Sequence, residues 1–297
     1  MILNRLYDQN LIQPPKWAIP NCQYLAITGS TAYGCNNADS SDEDLVGWVI
    51  PPKEIAFPHL AGEIDGFGEL KPRFTTWQKH HIDDPESRKQ YDVTLYGVAK
   101  FFHLCMENNP NMLDVLFSPR RCIKHCTQIG EILRENRKLF LSSHCYQKFR
   151  GYAYSQLHKM GVKQPKEGSK RFETVQRLGF DTKWAYHLIR LLLEAEQILT
   201  EGDLDLERNS EILKSVRRGD WTEEKILSWF DTKEKSMEEL YAKSTLPRKP
   251  DEEAIRRVLM NVFESHYGSI ADAVREENVA EKTLWEIQSL LEKRGFY

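Results

Sequence analysis

Three small groups of residues are spaced as phosphoryl-transfer chemistry would need them: Gly29-Ser30, Asp42 with Asp44, and Asp92. Glycine lets a backbone approach a ligand closely, and a helix start just after it offers free N–H groups to phosphate. The Ser30 hydroxyl can add a hydrogen bond to the same anion. Alternate residues of a strand share a face, so Asp42 and Asp44 point together while Glu43 points away. Two adjacent carboxylates repel unless a cation lies between them. Magnesium, a hard ion that prefers oxygen ligands and keeps waters for substrate phosphates, suits that place. Two-metal phosphoryl transfer usually adds a carboxylate from a neighbouring strand. Asp92, in Tyr91-Asp92-Val93-Thr94-Leu95, sits among strand residues where an unpaired acid is expensive. It is a third metal ligand on this reading, or else a solvated strand start.

The elements that must hold these groups differ between the two parts of the chain. The front part has β-prone runs at 22–28, 45–50, 73–78 and 91–95, then helical apolar spacing through Val98, Phe101, Phe102 and Cys105. From about Thr127 the period is helical, over 127–139, 143–160, 170–179, 182–200, 209–217, 222–243, 251–266 and 280–294. Asn108-Asn109-Pro110-Asn111 signals a turn and a helix start. The expected class is α+β: a mixed sheet with flanking helices over 1–125, then an all-helical domain over 126–297.

Composition narrows the function classes. The chain has 297 residues, 41 basic and 44 acidic side chains, and a net charge of −3, too balanced for a nucleic-acid coat. Mean hydropathy is −0.58 and no stretch reaches the ~18–20 apolar residues of a membrane span. The first residues lack an apolar signal core and meet Pro14 and Pro15 early. Six scattered cysteines read as reduced thiols, which points to the cytoplasm. Cys122, His125 and Cys126 lack the second ligand pair of a zinc site. His80-His81 reads as strand-end polarity. Asp114 and Lys100 read as either site residues or helix-surface ions.

Charge is uneven, with ten bases against three acids between Lys148 and Arg190. Such a field attracts phosphate-bearing ligands. In 183–199 one face is apolar, while Lys183, His187 and Arg190 form a separate stripe at i, i+4 and i+7. That stripe could grip a triphosphate or an RNA backbone, or be a solvated edge with Arg190 paired to Glu194. Lys170 and Arg171 are further candidates of the same kind.

The stretch GSTAYGCNNADSSDEDLVGW resembles the Gly-Ser…Asp-x-Asp signature of the DNA polymerase beta-type nucleotidyltransferase superfamily, in the wording of the predicted nucleotidyltransferases associated with RNA ligases in RNA repair. YDVTLYGVAKFFHLCMENNPNMLDVLF, FRGYAYSQLHKM, GFDTKWAYHLIRLLLEAEQIL and LPRKPDEEAI resemble later blocks of that family, so the likeness spans about 22 to 256. The resemblance implies that Gly29 and Ser30 hold an NTP, that Asp42 and Asp44 bind two Mg²⁺ ions, and that Asp92 shares the second and helps deprotonate the attacking hydroxyl. It implies in-line transfer of NMP with release of pyrophosphate. The expected acceptor is an RNA 3′ end, such as that of a damaged tRNA. The rivals are AMP transfer to a protein hydroxyl, transfer to an aminoglycoside-type small molecule, and a non-catalytic nucleotide- or RNA-binding module. Nothing in the sequence bears on oligomeric state.

Overall fold

The computed structural model describes residues 1–35, 42–64, 73–162 and 165–269, and besides them residues 287 and 291. The helix expected over 280–294 lies outside the described residues, those two apart. Among the described residues five strands form one mixed sheet: β1 (Cys22–Ile27), β2 (Asp42–Val49), β3 (Thr76–Asp84), β4 (Lys89–Gly97) and β5 (Ile123–Cys126). Their order is β3-β4-β2-β1-β5. Strands β2 and β4 run parallel, and the other neighbours are antiparallel.

Side-chain alternation sets the faces. In β4, Tyr91, Val93 and Leu95 are buried, while Gln90, Asp92, Thr94 and Tyr96 take the opposite face. β2 opens with the exposed Asp42 and Asp44 and then sinks into the core at Leu45, Trp48 and Val49. The expected runs at 45–50 and 73–78 therefore begin at Asp42 and Thr76, and β3 runs on through His80-His81.

Helices α1 (Ile2–Asp8), α2 (Lys53–Ala56), α3 (Val98–Met106), α4 (Pro110–Leu116) and α5 (Gln128–Glu135) accompany the sheet. Then follow α6 (Cys145–Val162), α7 (Lys170–Leu178), α8 (Thr182–Glu201), α9 (Ser210–Arg218), α10 (Glu223–Lys243) and α11 (Glu252–Tyr267). Their limits follow from local chemistry. Asn109 caps α4 through its side chain, with Pro110 in the first turn, as the Asn-Asn-Pro-Asn signal predicts. Thr127, Ser169, Asp181, Thr222 and Asp251 cap five further helices. The architecture is α+β.

The apolar side chains form one continuous core. Trp48 stacks on Phe101 at its sheet end, and the buried face of α8, from Leu188 to Leu199, lines its helical end. β5 straddles the 125/126 boundary drawn from sequence and pairs with β1. α11 packs back against α3 and α5, and the Tyr267 hydroxyl donates to the Pro51 carbonyl. No helix among the described residues is long and apolar enough to cross a membrane.

Candidate active site

The site begins where β1 ends. Thr28 donates its N–H to the Asp44 carbonyl at 2.8 Å, which joins the end of β1 to β2. The chain then turns tightly through Gly29, whose φ is +66°. A side chain there would be doubly penalised, because its Cβ would stand 2.8 Å from Asp44 Oδ2 as well as forcing the left-handed backbone. Gly29 thus presses on the acidic group itself, and Ser30 follows in the same turn.

Asp44 is in direct parallel register with Asp92, and Asp42 lies two residues earlier on the face of Asp44. The three expected carboxylates are therefore brought to one face of the sheet by two strands. Asp44 keeps part of its surface open, but the opening is concave and crowded by protein. Burial first, and then the negative charge of Asp92, push its carboxyl above the usual range; Lys183 and His80 pull the other way. Lys183, in the first turn of α8, thus acts on the acidic group from the helical part of the chain.

Asp92 has partners that the sequence did not suggest. The β3–β4 register shifts between Lys79 and Ile82, and His81 takes a φ of +55° in the interrupted stretch. The bulge brings the His81 N–H to Asp92 Oδ1 at 2.7 Å and His80 Nδ1 to Asp92 Oδ2 at 3.2 Å. The expectation that His80-His81 is plain strand-end polarity is corrected: both histidines serve Asp92.

Gly29 and Asp44 open into a cleft of about 780 Å³, whose lining includes neither Asp42 nor Asp92. Thr28, Gly29, Asp44, Val46 and Tyr96 line its sheet side, and residues of α4, α6 and α8 line the rest. The stripe expected on α8 is split by burial. Lys183 is exposed. His187 lines the cleft with its ring 4.6 Å from that of Tyr186. Burial and then the charges of Arg190, Lys183, Arg217 and Arg171 push it well below the usual imidazole range, so it is neutral. Arg190, also at the cleft, is only 4% exposed. Its Nη1 donates to Asp114 and Glu194, and its guanidinium lies 4.7 Å from the centre of the Tyr33 ring. Two carboxylates thus already take up the charge of Arg190, and the solvated helix edge that was the alternative is corrected, since the side chain is buried. The helix-surface alternative for Asp114 is likewise corrected, because Asp114 is buried and accepts from the Tyr33 hydroxyl as well.

Arg171 pairs with Asp181 at 2.6 Å and lies over Trp184, and it is not among the cleft-lining side chains. Lys170 opens α7, and its side chain lies outside what is described. Cleft residues that the sequence reading passed over include Tyr152 and Gln156, while Trp184, expected on the apolar face of 183–199, also lines the cleft. The only sequence signal of the first two was membership of the later blocks.

The donor set bears on magnesium. Asp42, Asp44 and Asp92 supply only oxygen, as a hard ion requires, and the raised carboxyl of Asp44 marks a surplus of negative charge that a cation would relieve. Among the described residues, however, no group of three or more His, Cys, Asp or Glu is gathered around one point. Both oxygens of Asp92 face the two histidines instead.

A fold with an acidic sheet face beside a Gly-Ser turn, closed by a helical wall, defines the class as nucleotidyltransferase. Residues 14–266 match RlaP, the RNA repair pathway DNA polymerase beta family, and the chain belongs to that family. No curated protein matched the chain. Among solved structures it is similar to a nucleotidyltransferase-like protein from Exiguobacterium sibiricum, at 11% identity and a TM-score of 0.28, over 98% of this chain and 90% of that one. At that TM-score the likeness carries no argument.

Proposed function

We propose that this enzyme moves a nucleoside monophosphate from an NTP to a hydroxyl at an RNA 3′ end, that of a tRNA being favoured, with release of pyrophosphate. The observation that carries this reading is the in-register pair Asp44–Asp92 beside the Gly29 turn, where Gly29 and Asp44 line the cleft and the charge of Lys183 acts on Asp44. Membership of an RNA repair family and the basic run 148–190 favour RNA as the acceptor.

In this reading Gly29 and Ser30 hold the triphosphate, whose charge Lys183 helps to balance. Asp42, Asp44 and Asp92 would hold magnesium, which when bound supplies charge stabilisation to the entering and leaving oxygens. The acceptor oxygen attacks the α-phosphorus, a new P–O bond forms, and the bond to the bridging oxygen breaks as pyrophosphate leaves. The acceptor proton passes toward Asp92, whose carboxylate His80 and the His81 N–H hold in place.

Label transfer tests the reading. The protein is incubated with each α-³²P-labelled NTP and Mg²⁺, with total tRNA, an RNA-stripped lysate, or neither. Label on tRNA is expected. Label on a protein band would keep the chemistry and discard the RNA acceptor, and absence of transfer with every acceptor would count against catalysis.

Gly29→Ala makes a separate prediction. The added Cβ must displace Asp44 by a substantial fraction of an ångström, and misplacement on that scale lowers rates on the order of 10²-fold. The transfer rate should fall accordingly while the far-ultraviolet circular dichroism spectrum is unchanged. A variant of full activity would show that Asp44 need not stand where it does.

A further inference from the structure

The helical wall of the cleft carries a row of polar groups, of which Tyr152 accepts from the Asn109 amide and Lys159 lies over the Trp184 ring. α6 presents Lys148, Tyr152, Gln156 and Lys159 to the cleft at helical spacing, so the phenol and the amide lie between two lysines. Gln156 is only 9% exposed, and its amide, which bonds no described residue, keeps its opening toward the cleft. On α8, packed along α6, neutral His187 borders the same cleft, and its nitrogens are equally unbonded among the described residues. A polar head that faces a cleft and bonds no other side chain is held by water until a ligand supplies a better-placed partner.

We propose that Gln156, seconded by His187, reads the nucleobase and thereby sets which NTP this enzyme prefers; the inference rests on the nucleotide reading above. The chemistry of the surroundings selects a base over other parts of a nucleotide. A phosphate calls for lysine or arginine, whereas an amide and a neutral imidazole suit an uncharged polar edge. Val46, Tyr96, Tyr152 and Leu191 nearby offer the apolar and aromatic surface that a flat heterocycle covers. An amide also presents one donor and one acceptor in fixed order, so it matches some base edges and leaves others unpaired. Sites of this kind discriminate far better than apolar ones.

Calorimetric titration of the full chain with ATP, CTP, GTP, UTP and inorganic tripolyphosphate, each with Mg²⁺, tests this. The wild type should separate its best from its worst NTP by at least about 10-fold. Gln156→Leu, similar in size, should bring that ratio toward one while binding tripolyphosphate as before. The ligand-free variant should melt close to the wild-type temperature, since the amide bonds no other side chain. Gln156→Glu keeps the shape but loses the donor, and should reorder the four affinities. The inference is overturned if Gln156→Leu keeps the wild-type ratio, if its affinity for tripolyphosphate falls along with the others, or if the wild type binds all four NTPs alike. A wild type that binds neither NTP nor tripolyphosphate removes the nucleotide reading as well.

Discussion

Asp44→Asn is expected to abolish nucleotidyl transfer and at the same time make the ligand-free protein harder to melt. Loss of one preorganised charge from a phosphoryl-transfer centre lowers the rate on the order of 10²–10³-fold or more. The gain in stability comes from the same carboxylate. Burial and then Asp92 raise the affinity of the Asp44 carboxyl for its proton above that of an unfolded chain. For a raised acid, the penalty is absent below the ordinary aspartate range. It grows as pH climbs through the raised folded value, and is fully present above it. At neutral pH the wild type carries that penalty and the amide does not. Mg²⁺ should therefore raise the wild-type melting temperature and leave Asp44→Asn nearly unmoved. Paired melting curves at neutral pH, with and without Mg²⁺, check both halves. A variant that melts below the wild type would show that the carboxylate is needed for folding.

The largest stability effect is expected at Arg190. Asp114 and Glu194 are almost wholly enclosed, and Arg190 is the cation that both of them contact. Arg190→Met removes that cation while roughly keeping its stem, and stranding buried carboxylates in this way costs about 3–5 kcal/mol. Denaturant midpoints at pH 7 measure the loss. The deficit should shrink toward acid pH. Burial raises both carboxyls, so in the variant they take up protons and cease to be stranded charges. Glu194→Gln, which fixes the uncharged form, should fall close to the wild type. A uniform deficit at all pH values would mean that the arginine acts through packing against Tyr33 alone.

Sequence reasoning reached the parts of this site that depend on period and local chemistry. The two-residue alternation of strands places Asp42 and Asp44 together, and the apolar period marks the helices of the second part. It did not reach what depends on pairing between distant segments. β5 has only four residues, two of them histidine and cysteine, and is a strand because β1 offers it an edge. The bulge at His80-His81 exists only in the register of β3 on β4. For Arg190 the local partner Glu194 was visible four residues on, but Asp114 stands 76 residues away in the chain, so the burial of the whole group was hidden. Gln156 carried no signal of its own in the sequence, and its place on the cleft follows from the packing of α6 with α8. Each miss is a tertiary contact overriding a local expectation.

The order of these segments along the chain also governs how the protein can come into being. Asp42, Asp44, Asp92 and Asp114 all leave the ribosome before the first residue of α8. Until Arg190 follows, Asp114 lacks the cation it pairs with, and the sheet face lacks Lys183 and the α8 part of its wall. A nascent chain halted at residue 180 would thus display its acidic groups on an open surface, fit for a chaperone and unfit for chemistry. α11, the last helix with described bounds, reaches back to α3 and α5, which ties completion of the first-made half to later synthesis of the second.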